Sequence, residues 1–262
     1  MKHAAIYAGI AALFATSHAW AVPILQIGAP AGAGDKGIYA DYQGKTTDPK
    51  EENTAITSGN ILYVGGIYKD DGVQLLGGKF GSVDWSDVNK GTFPSVFNGH
   101  GAVLLVSVPD GQLADAVGSL TVNGNFAFYT NATLNFFPDN HTPVKAGSAD
   151  FLFFDIGNFT KTAGAVPNFE TENDFKAGEI KELTLGGFNA VDWAHFDVMA
   201  LQTSGKEKKG QTTLTTSLEK DPGSHDVTWK NAGTFAQELP EPGTLALLGL
   251  GLLGLGVSRR YK

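Results

Sequence analysis

The 262-residue sequence contains no cysteine, and only 18% of its residues are charged. Without cysteine the chain can form no disulfide bond, thiolate zinc site or iron–sulfur cluster, and it has no thiol nucleophile. Basic residues are also scarce, with 19 Lys and Arg against 27 Asp and Glu and a formal net charge of −8. We expect no nucleic-acid partner, because a phosphate-binding surface needs clustered basic side chains and the one dense basic run is the short stretch 206–209.

Signals for long helices are missing, whereas glycine is abundant at 34 residues, nearly double its usual share of about 7%. From residue 22 to 232, short runs of Val, Ile, Thr, Phe and Tyr alternate with Gly, Asn, Asp and Pro, the pattern of strands and turns. The predicted strands are 24–27, 37–42, 60–68, 72–77, 102–107, 119–137, 149–154, 179–185, 191–201, 212–218 and 226–230. We therefore predict that 22–232 is an all-β domain, a β-sandwich with jelly-roll-like connections.

The remaining local predictions concern a turn, a helix and the loops. The pair Asn123–Gly124 lies between apolar runs and predicts a hairpin turn or bulge. Residues 110–117 fit two helical turns with Asp110 as the N-cap. Long loops are expected within 26–60 and 158–178.

Histidine and aspartate come close together in the strand 191–201. Alternation places Ala194, Phe196 and Val198 on a buried face, and Trp193, His195 and Asp197 on a mixed face, with Asp192 pointing away from His195. The neighbours His225 and Asp226 point to opposite faces of their strand. We interpret these polar residues as structural or solvent-facing, and a metal site or an acid–base pair is the alternative.

Calcium is the metal that the turns of this sequence suit best, because it takes oxygen ligands from Asp, Asn and backbone carbonyls. The segment 84–91 offers Asp84, Asp87 and Asn89 before a glycine, although its spacing is not that of an EF-hand. Further oxygen-rich turns lie at 70–72 and 139–140. An ordinary β-turn is the alternative at each of them.

The N-terminus has the three parts of a secretory signal peptide. A short cationic start precedes the apolar stretch 4–15, and Ala19–Trp20–Ala21 supplies the small residues that signal peptidase requires. We predict cleavage after Ala21, so that residues 1–21 are removed and the rest of the chain is exported.

The C-terminus combines a proline motif, an apolar segment and basic residues. Pro240–Glu241–Pro242 precedes the uncharged Leu- and Gly-rich stretch 244–257, and Arg259 and Arg260 follow it. As a helix, the sixteen residues 243–258 measure about 24 Å, short of the hydrocarbon core of about 30 Å. We expect this tail to form a membrane helix with its arginines on the cytoplasmic side. Residues 233–239 form the linker to the domain.

This tail, 240–262, resembles the PEP-CTERM sorting signal of Gram-negative bacteria. The resemblance implies that the chain is a substrate of an exosortase, which cleaves at or near the motif, and that the body belongs to the cell envelope or extracellular matrix. The alternative is a permanent C-terminal anchor in which the prolines only stop the helix. The stretches 191–197 and 223–230 resemble the exported choice-of-anchor families, a resemblance that implies no known activity.

No catalytic motif stands out, since the sequence has no G-x-S-x-G segment and no phosphate-binding loop. We therefore expect a structural or binding protein rather than an enzyme. The alternative is a calcium-dependent carbohydrate-binding or carbohydrate-active protein, with exopolysaccharide as partner and Trp85, Trp193 and Trp229 as stacking surfaces.

Overall fold

The computed structural model describes residues 23–32, 37–42, 44–47, 50–68, 73–91, 93–133, 143–144, 149–208, 211–222 and 225–231. The predicted signal peptide with Ala19 and Ala21, the linker 233–239 and the tail with Pro240, Glu241, Pro242, Arg259 and Arg260 lie outside these residues. The turns at 70–72 and 139–140 lie outside them as well.

Strands account for nearly all regular structure in the described residues, together with one five-residue α-helix and three short 3-10 turns. The strands are β1 Leu25–Gly28, β2 Gly44–Thr47, β3 Lys50–Thr57, β4 Ile61–Ile67, β5 Val73–Gly77, β6 Ala102–Pro109, β7 Thr121–Val122, β8 Tyr129–Asn131, β9 Ala149–Gly157, β10 Thr162–Asn168, β11 Asn173–Gly186, β12 Trp193–Lys208, β13 Gln211–Lys220 and β14 Val227–Lys230. The helix α1 is Leu113–Val117. The prediction of an all-β protein is confirmed.

The strands form two sheets. The smaller sheet has the order β1-β4-β11-β10, with β7 also paired to β11. The larger sheet has the order β2-β3-β14-β12-β6-β9-β8, with β13 and β5 also paired to β12. The pairing of β3 with β14 is parallel, and the other strand pairs are antiparallel.

The sheets face each other across one hydrophobic core. Leu62 of β4 and Leu104 of β6 belong to this shared core, which we call the inner cluster. A second cluster, the outer cluster, covers the other face of the larger sheet, where Trp85 and Phe97 meet β6, β9 and β12. Because β6 is covered on both faces, its sequence is an almost continuous apolar run rather than an alternating one.

Several predicted boundaries differ from the structure. The expected loops contain β2, β3 and β10. β3 pairs with the neighbouring β2 and also with β14, which is far away along the chain. The predicted strand 37–42 forms only an isolated bridge between Tyr39 and Pro30. The long predicted strand 119–137 contains only β7 and β8 among its described residues. The turn prediction is confirmed, because Asn123 and Gly124 have φ of +52° and +75° and join the bridged residues 122 and 125.

The helix α1 begins later than predicted, and its cap is a different residue. Gln112 occupies the N-cap position without a side-chain cap bond. Instead, Oδ2 of Asp150 on β9 accepts hydrogen bonds from the backbone N of Gly111 at 2.9 Å and of Leu113 at 3.1 Å. The predicted role of Asp110 is therefore wrong, because a distant strand supplies the carboxylate that a local residue was expected to provide.

Candidate functional site

Polar side chains are enclosed where β12, β14 and β3 meet. We call the following residues, each with 0% exposure, the buried polar cluster: His195, Asp197, Asp226, Thr228 and Thr54. Nε2 of His195 lies 3.7 Å from Oδ2 of Asp197 and 3.7 Å from Oδ2 of Asp226. Nδ1 of His195 lies 2.9 Å from the Thr228 hydroxyl, which lies 3.2 Å from the Thr54 hydroxyl. One imidazole thus joins two carboxylates to a pair of hydroxyls inside the protein.

The register of the strands explains why these residues meet. His195 on β12 is directly opposite Thr228 on β14. Asp197 and Asp226 each lie two residues from one of these partners, so they share the same face of the sheet. The prediction from alternation that His195 and Asp197 share a face is confirmed. The expectation that this face is partly exposed to solvent is wrong, because the outer face of β12 is covered at these residues.

Sequence reasoning did not bring Asp226 to His195. The adjacency of β14 and β12 brings together residues about thirty positions apart, and no local pattern reports it. The one available signal was alternation, since Asp226, Thr228 and Lys230 share one face of their strand and Val227 and Trp229 share the other. Asp192, by contrast, is exposed and its Oδ2 accepts a 2.7 Å hydrogen bond from Gln112, as its predicted orientation away from His195 requires.

Asp221 lies beside the cluster, in the connection from β13 to β14. Its Oδ1 accepts a 2.8 Å hydrogen bond from the backbone N of Val198, and its own N donates to Val198 O at 3.1 Å. Burial raises the pKa of Asp221 well above its usual range, and the negative charge of Asp197 raises it further. Burial lowers the pKa of the neighbouring Lys220, against the opposing effect of both carboxylates. The interior therefore favours the neutral forms of both groups.

His225 lies next to Asp226 in sequence but contacts a different set of residues. Its ring centroid lies 4.9 Å from that of Tyr42, and its Nε2 lies 3.9 Å from Oε2 of Glu170. Burial lowers the pKa of His225 to about 4. Burial also raises the pKa of Tyr42 well above its usual value, with Asp226 adding to the shift. The Tyr42 hydroxyl donates a hydrogen bond to the carbonyl of Ile27.

The predicted calcium residues lie at the start of the 3-10 turn Trp85–Gly91. Asp84 accepts hydrogen bonds from the backbone N of Trp85 at 2.8 Å and of Gly99 at 3.0 Å. Oδ2 of Asp87 accepts one from the backbone N of Asp84 at 3.0 Å. Together these bonds fix the start of the turn and tie it to the backbone at Gly99. Of Asn89 the structure describes only the backbone, so calcium at these residues stays a prediction.

The tryptophans expected as stacking surfaces are buried. Trp85 is 0% exposed, and Trp193 and Trp229 are each 4% exposed. Trp85 and Trp193 belong to the outer cluster and Trp229 to the inner cluster, and Nε1 of Trp85 donates to the carbonyl of His100 at 3.1 Å. The prediction that these rings offer a sugar-binding surface is therefore wrong.

A second histidine–aspartate pair, which sequence reasoning missed, lies at the surface. Nδ1 of His100 is 3.0 Å from Oδ2 of Asp155, and the imidazole stacks on Phe128 with 3.9 Å between ring centroids. Oδ1 of Asp155 accepts hydrogen bonds from the backbone N of Gly101 and Gly157 at 3.0 and 2.8 Å. No local signal links these residues, because they come from three separate segments.

The buried polar cluster is suited to holding strands together. Its side chains are closed off from solvent, so a substrate in solution has no direct route to them. In the part of the chain that the structure describes, no group of three or more His, Cys, Asp or Glu residues is arranged to hold a metal ion. The His195 imidazole, its two carboxyl neighbours and the hydroxyls instead link β3, β14 and β12 on the outer face of the larger sheet.

The comparison with protein families places the sorting signal at the C-terminus. Residues 238–260 match the PEP-CTERM protein-sorting motif. The match includes Pro240, Glu241, Pro242, Arg259 and Arg260. Comparisons with curated proteins and with solved structures gave no match. The chain thus combines an all-β body with a PEP-CTERM sorting motif, which implies an exported, envelope-associated protein that an exosortase processes.

The membrane helix expected in the tail, over 244–257, lies outside the described residues. Among the residues that are described, none forms a helix with the length and apolar character needed to cross a bilayer.

Proposed function

We propose that this chain is a non-enzymatic structural or binding component of the cell envelope or extracellular matrix of a Gram-negative bacterium. In this proposal signal peptidase removes residues 1–21, the β-sandwich body 22–232 is exported, and the tail holds it in the membrane until an exosortase cuts at or near Pro240–Glu241–Pro242. The observation that carries the proposal is the sorting motif at 238–260.

The chemistry of the motif supports its role as a recognition element. Two prolines favour an extended backbone around Glu241 and keep it out of a following helix. The carboxylate is then held at the membrane surface, where an enzyme embedded in the bilayer can reach it. Arg259 and Arg260 favour the cytoplasmic side, which orients the tail.

A non-enzymatic role is supported by where the body keeps its acid–base groups. His195 and both of its aspartate partners have 0% exposure, and the carboxylates Asp84 and Asp150 bind backbone amides. In the exposed pair with His100, the Asp155 carboxylate also accepts hydrogen bonds from backbone amides. The alternative of a calcium-dependent carbohydrate-binding protein loses its stacking surfaces, because Trp85 and Trp229 are buried. Calcium at Asp84, Asp87 and Asn89 is kept as a separate proposal.

Replacing Glu241 tests the sorting proposal. We expect Glu241→Ala to leave unprocessed full-length precursor in the membrane, because the extended motif loses the charge that the exosortase recognises. Intact-mass measurement of the cell-associated and secreted forms would show the mass of the uncut tail. The matched control is Gln237→Ala, which removes a polar side chain just before the matched region 238–260 and is expected to be processed normally.

Normal processing of the Glu241→Ala variant would contradict the role of the motif. An uncut tail in the unmodified protein would instead support the permanent anchor. A processed mass that ends near residue 240 in the unmodified protein would place the cut directly.

A further inference from the structure

The strand β13 presents a long regular edge. It pairs with β12 through ten consecutive residue pairs, from Met199 opposite Lys220 to Lys208 opposite Gln211, without a register shift. On its other side, which we call the outer edge of β13, no strand within the described residues is paired. Its face that includes Thr213, Thr215 and Ser217 is exposed. The edge is therefore extended and regular, and every second side chain from Gln211 to Ser217 is exposed.

The other edge strands carry features that discourage pairing with a further strand. In the smaller sheet β1 has only four residues, and β10 contains Pro167 and two register shifts. In the larger sheet β8 has three residues, β2 has four and a register shift, and β5 has five and a register shift. Short strands, prolines and bulges are the usual protection of sheet edges.

β13 lacks these features. Its sequence contains no proline or glycine, and its only charged residues, Glu219 and Lys220, lie together at one end. A long, flat and nearly uncharged edge of this kind is a template for another strand. A strand added to β13 would form backbone hydrogen bonds along its whole length, which the short or interrupted edges do not allow.

We propose that the outer edge of β13 pairs with β13 of a second copy of this chain, antiparallel, to form one continuous sheet. A two-fold axis perpendicular to the sheet keeps the exposed faces of both copies on the same side of the joined sheet. Since opposite residues point to the same face, the axis must lie between one residue and the same residue of the second copy. Centring it on Thr215 pairs nine residues, 211–219, and leaves Lys220 outside the strand pairs.

The side chains fit this register. It places Thr213 opposite Ser217, so that hydroxyls face each other, and Gln211 opposite Glu219, an amide facing a carboxylate. On the other face Leu214, which is half-buried, lies opposite Thr216 of the second copy and becomes further shielded from water. No like charges lie directly opposite. The pairing is independent of the sorting signal, because it involves only the body.

Cysteine cross-linking of the full-length chain tests the pairing. The protein has no cysteine of its own, so Thr215→Cys introduces the only thiol, and directly opposite residues of an antiparallel pair lie within reach of a disulfide or a short bis-maleimide. We expect the exported Thr215→Cys protein to run at twice the monomer mass in denaturing gels. Thr162→Cys, an exposed threonine on the protected edge strand β10, is the matched control and should stay monomeric.

A second variant tests the edge without relying on cross-linking geometry. Thr215→Lys places two ammonium groups next to each other at the two-fold axis, and like charges directly opposite destabilise a strand pair. Sedimentation of the full-length proteins in detergent should show the wild type as a dimer and Thr215→Lys as a monomer. Thr162→Lys should remain a dimer. Because the chain carries a net charge of −8, added salt should strengthen the wild-type dimer.

The outcomes distinguish this surface from other occupants. A wild-type protein that is monomeric at all concentrations would overturn the proposal. This includes a monomer whose β13 amides resist hydrogen exchange because a segment of the same chain covers them. A dimer that Thr215→Lys leaves intact would overturn it as well, since association then runs through the tail or another surface. A dimer that Thr215→Lys disrupts but Thr215→Cys does not link would overturn the register centred on Thr215.

Discussion

Burial decides the charge states of individual residues in this protein. It is the largest cause of the shift at Tyr39, whose pKa rises to about 12, at Asp221, whose pKa is raised, and at His225, whose pKa falls to about 4. In each case the neutral form is favoured, because water no longer solvates the charge. The stability of the body therefore depends on pH through these groups.

His225→Gln should reduce the loss of stability in acid. The pKa of His225 is about 4 in the folded protein against an ordinary value of 6.5, so the unfolded chain takes up the proton first as the pH falls. Stability is then fully present above 6.5 and declines until about pH 4, by up to about 3 kcal/mol. Urea unfolding of the processed protein at several pH values should show a shallower decline in the variant.

Neutral to basic pH serves as the internal control for this measurement. Above pH 7 the imidazole is neutral in both states, so the stabilities of the variant and of the wild type should run parallel. Asp221 acts in the opposite direction, because its raised pKa makes the folded protein hold a proton and lose stability as pH rises. The effect of Asp221 is present in both the wild type and His225→Gln. If the free energy of unfolding falls equally steeply in both proteins between pH 6.5 and 4, His225 is not buried in its neutral form.

Among the elements, β12 and β14 depend on each other through the buried polar cluster. β12 pairs with four strands, β13, β14, β5 and β6, and its side chains enter both hydrophobic clusters. The cluster adds side-chain bonds from His195 to Thr228 and on to Thr54 of β3. The parallel pair of β3 and β14 is thereby tied to the centre of the larger sheet.

His195→Ala should destabilise this junction strongly. Removing the imidazole leaves Asp197 and Asp226 without the partner that lies 3.7 Å from each carboxylate. Removing a polar group that faces buried side-chain oxygens costs about 1–3 kcal/mol. Denaturant unfolding of the processed protein measures the loss, and hydrogen exchange should show the largest increase at β14 and β3.

The surface pair provides the matched control for His195→Ala. His100→Ala removes an imidazole whose partner Asp155 remains open to water, so its effect should stay within about 1 kcal/mol. Equal losses in the two variants would show that burial of the charge pair does not set the energy of the cluster.

At the scale of the whole molecule, the body is a layered structure with two separate hydrophobic clusters. The inner cluster joins the sheets, and the outer cluster is closed by the segment that carries Trp85, Phe93 and Phe97. The rings of these three residues contact one another with centroids 5.2 to 5.9 Å apart. The centre of the larger sheet, around β6, β9 and β12, is thus covered on both faces, and the three described tryptophans are buried.

Tryptophan fluorescence should report this burial. With residues 1–21 removed as proposed, the emission comes from Trp85, Trp193 and Trp229, and we expect it to be blue-shifted and weakly quenched by acrylamide. Titration with polysaccharides, with and without calcium, should leave the emission unchanged, because no indole can reach a sugar. A shift on adding polysaccharide would contradict the buried positions, and unfolded protein is the control for full quenching.

The sequence by itself determined the all-β class, the hairpin turn at Asn123–Gly124 and the C-terminal motif at 240–242. These features are local: periodicity, turn conformation and a linear recognition motif each depend on neighbouring residues. For the same reason the apolar strands β4, β6 and β9 could be predicted close to their observed positions.

Contacts between distant segments set which polar residues are buried and where they meet. Lys50–Thr57 is polar enough to predict a loop, yet it forms β3. Its first residues pair with the neighbouring strand β2, and Ala55–Thr57 pair with β14, more than 150 residues later. Asp150 rather than Asp110 caps the helix α1, and Asp226 joins His195 across two strands. Pairing, capping and burial of this kind depend on contacts between distant segments, and no local pattern of residues encodes which segments will become neighbours.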